Sequence, residues 1–463
     1  MSLIEAGIYD SILFIVSLFI AFIFIFKKTN ASLRWFLIMY VLLTYSSYNI
    51  MIKPIHDYNI VIPRTAFFHL KIISILSVAD IFMIITFTIF SLLYLMKNKI
   101  IFYKNILLNI IYIGMIRDLV LLLIGTIGFF IYMLNTSSDY YSIADQFRNA
   151  RGLIYISVFL FFTYSILNNQ KLSFMKIFYI FIFLDLINLG SGFIATLLYK
   201  DYVWQRYFLN VVILDQDDTG ITMFYATIFF TSIIIGKKMK LPFFYNIVIF
   251  MSTVLMVLTF SKGFFVYLFL LYIFSLVIIA QNKKNFIPKL FSLLLVIGLL
   301  FPAISYFSKS SAINTRLAQI NDYFTYINHI DSQISLLAGI GYGGFYKESD
   351  PSLYDSGSMK KIDIKNHTGL RTSIQTPLVC IIKDSGMLGF FIFLIVGFFL
   401  LFKFLKTIKL GVFEIATSFY LMFYIFFQNI LLFPEPSKIL VLFKIVILYV
   451  LYKRDKGVRY VNN

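Results

Sequence analysis

Long apolar runs broken by short polar stretches repeat along the whole chain. A helix needs roughly 20 mostly apolar residues to cross a hydrocarbon layer of about 30 Å. Thirteen runs fit that pattern: 8–26, 35–52, 72–96, 106–134, 153–168, 177–199, 221–236, 243–260, 264–280, 290–307, 386–402, 412–433 and 439–452. The fourth is long and the last short, so counts of 12 to 14 fit the same pattern. The prediction is an all-α, polytopic integral membrane protein with one membrane domain over residues 1–463. Glu5 and Asp10 stand where a signal peptide needs basic residues, so the first run is read as a retained span.

The polar intervals fall into two alternating sets. One holds Lys27, Lys28 and Arg34; Lys97, Lys99 and Lys104; Lys171 and Lys176; Lys237, Lys238 and Lys240; Lys283, Lys284 and Lys289; Lys403, Lys406 and Lys409; then Lys453, Arg454, Lys456 and Arg459, with Asp455 its loop acid. Short loops rich in Lys and Arg stay on the cytoplasmic side. This puts the N-terminus outside and the C-terminus in the cytoplasm. The other set holds nearly all the loop acids and the histidines His56, His69, His329 and His367. Composition agrees, with 60% hydrophobic and 13% charged residues, where a soluble domain has about half and about a quarter. The net charge of +18 is therefore a topology signal, and nucleic acid is rejected as a partner. A single cysteine, Cys380, excludes an internal disulfide, and no Cys and His grouping has metal-site spacing.

One outside interval, 308–376, is far longer than the others and lies between the tenth and eleventh runs. A loop of that length in a compact protein is usually functional. In "INTRLAQINDYFTYIN", Ile313, Leu317, Ile320, Phe324 and Ile327 recur at helical spacing and predict an amphipathic helix near 313–328. Arg316 falls at the edge of that stripe, facing the bundle or lipid headgroups, while His329 falls on the opposite, solvated face. "AGIGYGGF" (338–345) permits close backbone approach, but it lacks the strand and helix context of a dinucleotide site. "NHTGLRTSIQTPLVCIIKDSGMLGFF" (366–391) leads back to the membrane, with Thr376 as cap and Pro377 at the first helical position. The acidic "LDQDDTG" (214–220) reads as a solvated turn.

Arginine is richer among the outside loop cations (Arg64, Arg148, Arg151, Arg206, Arg316 and Arg371) than among the inside ones (Arg34, Arg454 and Arg459). Its planar fork meets phosphate oxygens with two bonds. Lys262, in "LTFSKGFFVYL" (258–268), sits at the outer boundary, where the charge rule disfavours a cation. These side chains read either as ligands for a lipid-linked pyrophosphate or as solvated loop and headgroup contacts.

Together "TFSKGFF", "NTRLAQI", "LAGIGYGGF" and "KDSGMLGFF", in that order and on that side, resemble the O-antigen polymerase and O-antigen ligase superfamily of bacterial envelopes. The resemblance covers roughly residues 253–400. Its members show a Ser-Arg-Gly turn, an arginine opening the long loop, a Gly-Ile-Gly segment, and a His-Asn before an acid-x-Gly-x-x-Gly re-entry. Lys262 takes the place of the turn arginine, Arg316 that of the loop arginine, and Asp384, Gly386 and Gly389 fit the re-entry. The His-Asn position departs, falling on Gln375 and Thr376, with His367 eight residues earlier. The departure favours a polymerase over a ligase. The resemblance implies a multi-pass enzyme of the bacterial cytoplasmic membrane whose active site faces outward. It would pass a growing glycan from undecaprenyl pyrophosphate to an incoming lipid-linked repeat unit, with no metal or other cofactor. Product length would be set by the enzyme or by a regulator partner. Lys262, Arg206, Arg316 and Arg371 would meet pyrophosphate or glycan, and His367 would be the base, since imidazole titrates in the useful range. A flippase for lipid-linked oligosaccharides is the rival class, although the halves show no repeat symmetry.

Asp80, Arg117, Asp118 and Asp185 fall inside apolar runs, where each costs about 2.5–3.5 kcal/mol if left alone. Arg117 and Asp118 are neighbours and so are expected to point apart on a helix. Asp80 and Arg117 are expected at similar depth, as an ion pair tying the third and fourth spans together.

Overall fold

The computed structural model describes residues 3–29, 31–47, 65–66, 77–97, 106–148, 151–167, 172–198, 216–237, 239, 241–258, 262–281, 311–329, 333–347, 370–371, 374, 376–405, 408–423 and 436–456. Over these described residues it is 88% helical, with 15 α-helices among them. These are α1 (Leu3–Lys28), α2 (Ala31–Thr44), α3 (Val78–Lys97), α4 (Ile106–Asn135), α5 (Ile143–Arg148), α6 (Arg151–Leu167), α7 (Phe174–Leu198), α8 (Gln216–Ile235), α9 (Phe243–Leu258), α10 (Lys262–Gln281), α11 (Ser311–His329), α12 (Gln333–Ala338), α13 (Pro377–Leu405), α14 (Val412–Met422) and α15 (Pro436–Asp455). Two antiparallel pairs of short strands join them, β1 (Ser46–Ser47) with β2 (Thr65–Ala66), and β3 (Tyr346–Lys347) with β4 (Leu370–Arg371).

A helix stands at every apolar run that the described residues reach; the run 290–307 lies outside them. Among the described residues, four helical stretches, Gly7–Lys28, Leu108–Asn135, Phe174–Ala195 and Leu378–Leu405, are long and apolar enough to cross a membrane. Their outward faces are apolar too. On α1 the exposed side chains include Ile8, Ile12, Ile15, Phe19, Ile23 and Phe26, and on α13 they include Leu388, Phe391, Ile395, Phe398 and Phe402. Continuous apolar stripes of that kind are rare on a water-facing surface, and lipid accounts for them.

The centre of the main core is α15. From Ile439 to Leu451 it is buried on every side, against α2, α6, α7, α8 and α14. A helix that is apolar all round belongs inside a bundle. Loops meet in groups at the helix ends. Residues 140–146 bond to the glycine-rich stretch 343–345, through Ser142 N to Gly343 O (2.7 Å) and Phe345 N to Tyr140 O (2.8 Å). At the far end of α6, Asp455 accepts from Phe174 N at 2.6 Å, and Arg454 donates to the carbonyls of Leu167 and Leu172.

Candidate functional site

Glycines from three segments allow α4, the stretch 337–345 and α13 to touch backbone to backbone. α13 breaks at Gly386, whose φ of 67° and ψ of −174° are open only to glycine. A Cβ there would lie 2.1 Å from Leu337 O. The break frees a carbonyl, and Ile340 N donates to Lys383 O at 2.8 Å. Gly339 (φ 81°) packs on the backbone of residues 384–386, while Gly125 and Gly128 of α4 press on Asp384 O and Gly339 O. Gln146 braces the loop, accepting from Gly343 N and donating to Thr126 Oγ1, both at 3.0 Å. Tyr132 of α4 donates to Phe345 O at 2.7 Å.

A buried polar centre fills this junction. Lys383 Nζ donates to Gly341 O and pairs with Asp384 Oδ1, both at 2.9 Å. Cys380 Sγ bonds Asp384 Oδ2 at 3.2 Å. Deeper along α4, Arg117 gives Nε and Nη2 to Asp118 Oδ1, each at 2.8 Å, with its guanidinium 4.4 Å from the centre of the Phe393 ring. Tyr342, in the glycine-rich stretch next to Gly341, is also buried. Burial, with the negative charges of Asp384 and Asp118, pushes its phenol well above the ordinary value, while Arg117 opposes them.

A second polar cluster lies in the core around α15. Lys444 pairs with Asp185 of α7 and donates to Tyr40 Oη at 3.1 Å. Tyr40 and Tyr225 each donate to Asp185, and Lys444 also lies against the rings of Tyr40, Phe181 and Tyr225. Lys444 and Asp185 side chains are fully buried. The reading of charges inside the runs missed Lys444, although it stands alone in the last apolar run while Asp185 needs a counter-charge. It also missed the Lys453–Glu414 pair (2.8 Å) and Lys383, which sits ahead of the eleventh run as read from the sequence.

Two expectations about charge are corrected. Asp80 lies in the first turn of its helix. α3 begins at Val78, and Ser77 and Asp80 form a reciprocal capping box, with Ser77 N to Asp80 Oδ2 at 2.8 Å and Asp80 N to Ser77 Oγ at 3.2 Å. Tyr155 of α6 donates to the other oxygen. Arg117 curls back to its own neighbour Asp118, because a flexible three-carbon stem reaches the nearest counter-charge despite the helical offset. Asp80 thus sits on the α3–α6 seam and Arg117 on the α4–α13 seam, each with a partner other than the one expected.

Of the nominated ligand residues, Arg371 is buried on β4 opposite Tyr346, whose ring packs against Tyr323 of α11 at 5.7 Å. It therefore borders the glycine junction. Arg316 is exposed, as are Leu317 and His329, while Gln319, Asp322, Tyr323 and Ile327 form the buried face of α11. The buried face is turned from the expected stripe, because Tyr323 docks on Tyr346 and Arg316 points away from the bundle. Lys262 opens α10, which packs on α8 and α14. Arg206 and His367 lie outside the described residues. No family model, curated protein or solved structure matches the chain.

Proposed function

We propose that this protein is a membrane polysaccharide polymerase. It transfers a growing glycan from undecaprenyl pyrophosphate to the terminal sugar of an incoming lipid-linked repeat unit. The observation that carries the reading is the junction itself: "LAGIGYGGF" and "KDSGMLGFF", two of the segments behind the family resemblance, lock together through Gly339, Gly386 and the Ile340–Lys383 bond. The loop contacts fit the sidedness read from charge. Residues 136–152 and 308–376, both assigned outside, touch one another, and residues 167–176 touch the C-terminal stretch, both assigned inside.

In the reaction, an acceptor hydroxyl attacks the anomeric carbon. The bond from that carbon to the pyrophosphate oxygen breaks, a glycosidic bond forms, and the hydroxyl proton passes to a base, for which His367 is nominated. Negative charge grows on the departing pyrophosphate, and fixed cations meet it. Arg316 is an exposed residue on α11, open to a phosphate, and Lys262, at the head of α10, is the second cation of this clamp. Arg206 and Arg371 are the further glycan or phosphate contacts.

The test is Lys262→Ala and Arg316→Ala in a strain lacking the native gene, with surface polysaccharide resolved on a gel. Loss of one such group costs about 100-fold or more in rate, so long-chain bands should collapse to short ones. Full-length ladders from both correctly inserted variants would rule out the clamp.

A further inference from the structure

Two tyrosine rings from distant segments lie side by side above the glycine junction. Tyr140 ends a short 3₁₀ turn, Ser138–Tyr140, none of whose residues is buried, and Tyr326 sits in the last turn of α11. The rings are nearly parallel, 11° apart with centres 6.0 Å apart. At that spacing parallel rings are offset, so the pair offers a broader aromatic surface than either ring alone. Both residues are half-buried, packing against the small cluster of Tyr132, Tyr323 and Tyr346 and keeping the remainder open.

One residue of the glycine-rich stretch holds both rings in place. Phe345 N donates to Tyr140 O at 2.8 Å. Phe345 O accepts from the Tyr132 hydroxyl at 2.7 Å, which uses the single proton of that hydroxyl. The 2.7 Å bond between the Tyr132 and Tyr326 hydroxyls is therefore donated by Tyr326, whose polar tip is turned into the protein. The Tyr140 hydroxyl has no protein partner among the described residues.

Charge narrows what can lie on this surface. The stretches 136–146 and 320–329 hold Asp139, Asp145, Asp322 and His329 but no Lys or Arg. A phosphate or an anionic headgroup would meet carboxylates without a cation. A sugar ring fits instead: one face of a pyranose is a row of C–H groups that packs on an aromatic ring, and its hydroxyls both donate to and accept from polar side chains. Asp139 adjoins Tyr140, His329 stands one turn from Tyr326 on α11, and both are exposed.

We propose that Tyr140 and Tyr326 form a platform for a sugar ring of the lipid-linked glycan, with the Tyr140 hydroxyl, Asp139 and His329 as hydrogen-bonding groups at its rim. This rests on the polymerase reading and deepens it. Arg316 lies about 15 Å away along the same helix, so α11 carries a phosphate contact near one end and a hold on the sugar chain near the other.

Oligosaccharides released by mild acid from the wild-type cell surface are titrated into the purified full chain in detergent. Wild type should bind them. Tyr140→Phe, which keeps the ring and loses one hydrogen bond, should bind about threefold more weakly. Tyr140→Leu, which loses the ring as well, should bind about tenfold more weakly or worse. If Tyr140→Leu does not fold, Tyr140→Phe decides. The proposal is overturned if wild type does not bind, if Tyr140→Leu binds as wild type does, or, where Tyr140→Phe decides, if that variant binds as wild type does. An effect of Tyr140→Leu confined to melting in phosphatidylglycerol nanodiscs, with glycan binding unchanged, marks headgroup anchoring and overturns it too. Glycan binding that depends on Tyr140, in a protein whose loss leaves surface polymer length unchanged, overturns the polymerase reading alone.

Discussion

Lys444 and Asp185 are fully buried charges in the middle of the bundle, and three tyrosine and phenylalanine rings close around the ammonium. Breaking a buried pair by removing one partner costs about 3–5 kcal/mol, whereas replacing both by apolar groups of similar volume is often neutral. Lys444→Met should therefore lower stability sharply, and Lys444→Met with Asp185→Leu should regain most of the loss, as read by thermal melting of the purified protein. Single and double variants that melt alike would remove the pair from the account of the core. The sequence showed Asp185 and Asp80 as costly charges but not how each is met. A capping box is legible in "SVAD" once the helix start is known, yet the apolar run 72–96 hid that start, because hydropathy does not register where a helix begins. The pairing of Arg117 with Asp118 depends on side-chain reach, which residue spacing alone does not report.

At the scale of elements, α13 decides the shape of the candidate site. The sequence placed its span at 386–402, starting where the structure breaks, because Lys383 and Asp384 interrupt the apolar run. Inside the protein those two charges satisfy one another, so the helix carries them back to Pro377, the start that Thr376 and Pro377 signalled. Gly386→Ala would force a side chain into a glycine-only conformation and onto Leu337 O at 2.1 Å. Activity should fall to background, with protease sensitivity rising in 337–345, while Gly190→Ala, where a Cβ meets nothing within 4 Å, should be tolerated. A fully active Gly386→Ala protein would contradict the docking. The helix at 311–329 was legible from its period, but its buried face was not. Gln319 and Asp322 turn inward because Tyr323 is fixed by Tyr346, a contact between distant segments that periodicity cannot see.

Over the whole molecule, the alternation of apolar runs and basic loops foretold a helical architecture, and the helices fall where the runs are. The burial of α15 at the centre was hidden, since its run is short and carries Lys444. Its place depends on Asp185, Tyr40 and Tyr225 from three other helices. The exposed apolar faces of α1 and α13 lie outside this core, as lipid contact requires. A polymerase and a flippase differ in what their loss leaves behind, because one extends repeat units already delivered and the other delivers them. Deletion of the gene, followed by mass analysis of the cell-surface glycan, is the most direct measurement. The account predicts that single repeat units remain on the surface and that longer chains vanish; a surface with no repeat units at all, or with chains of unchanged length, would contradict it.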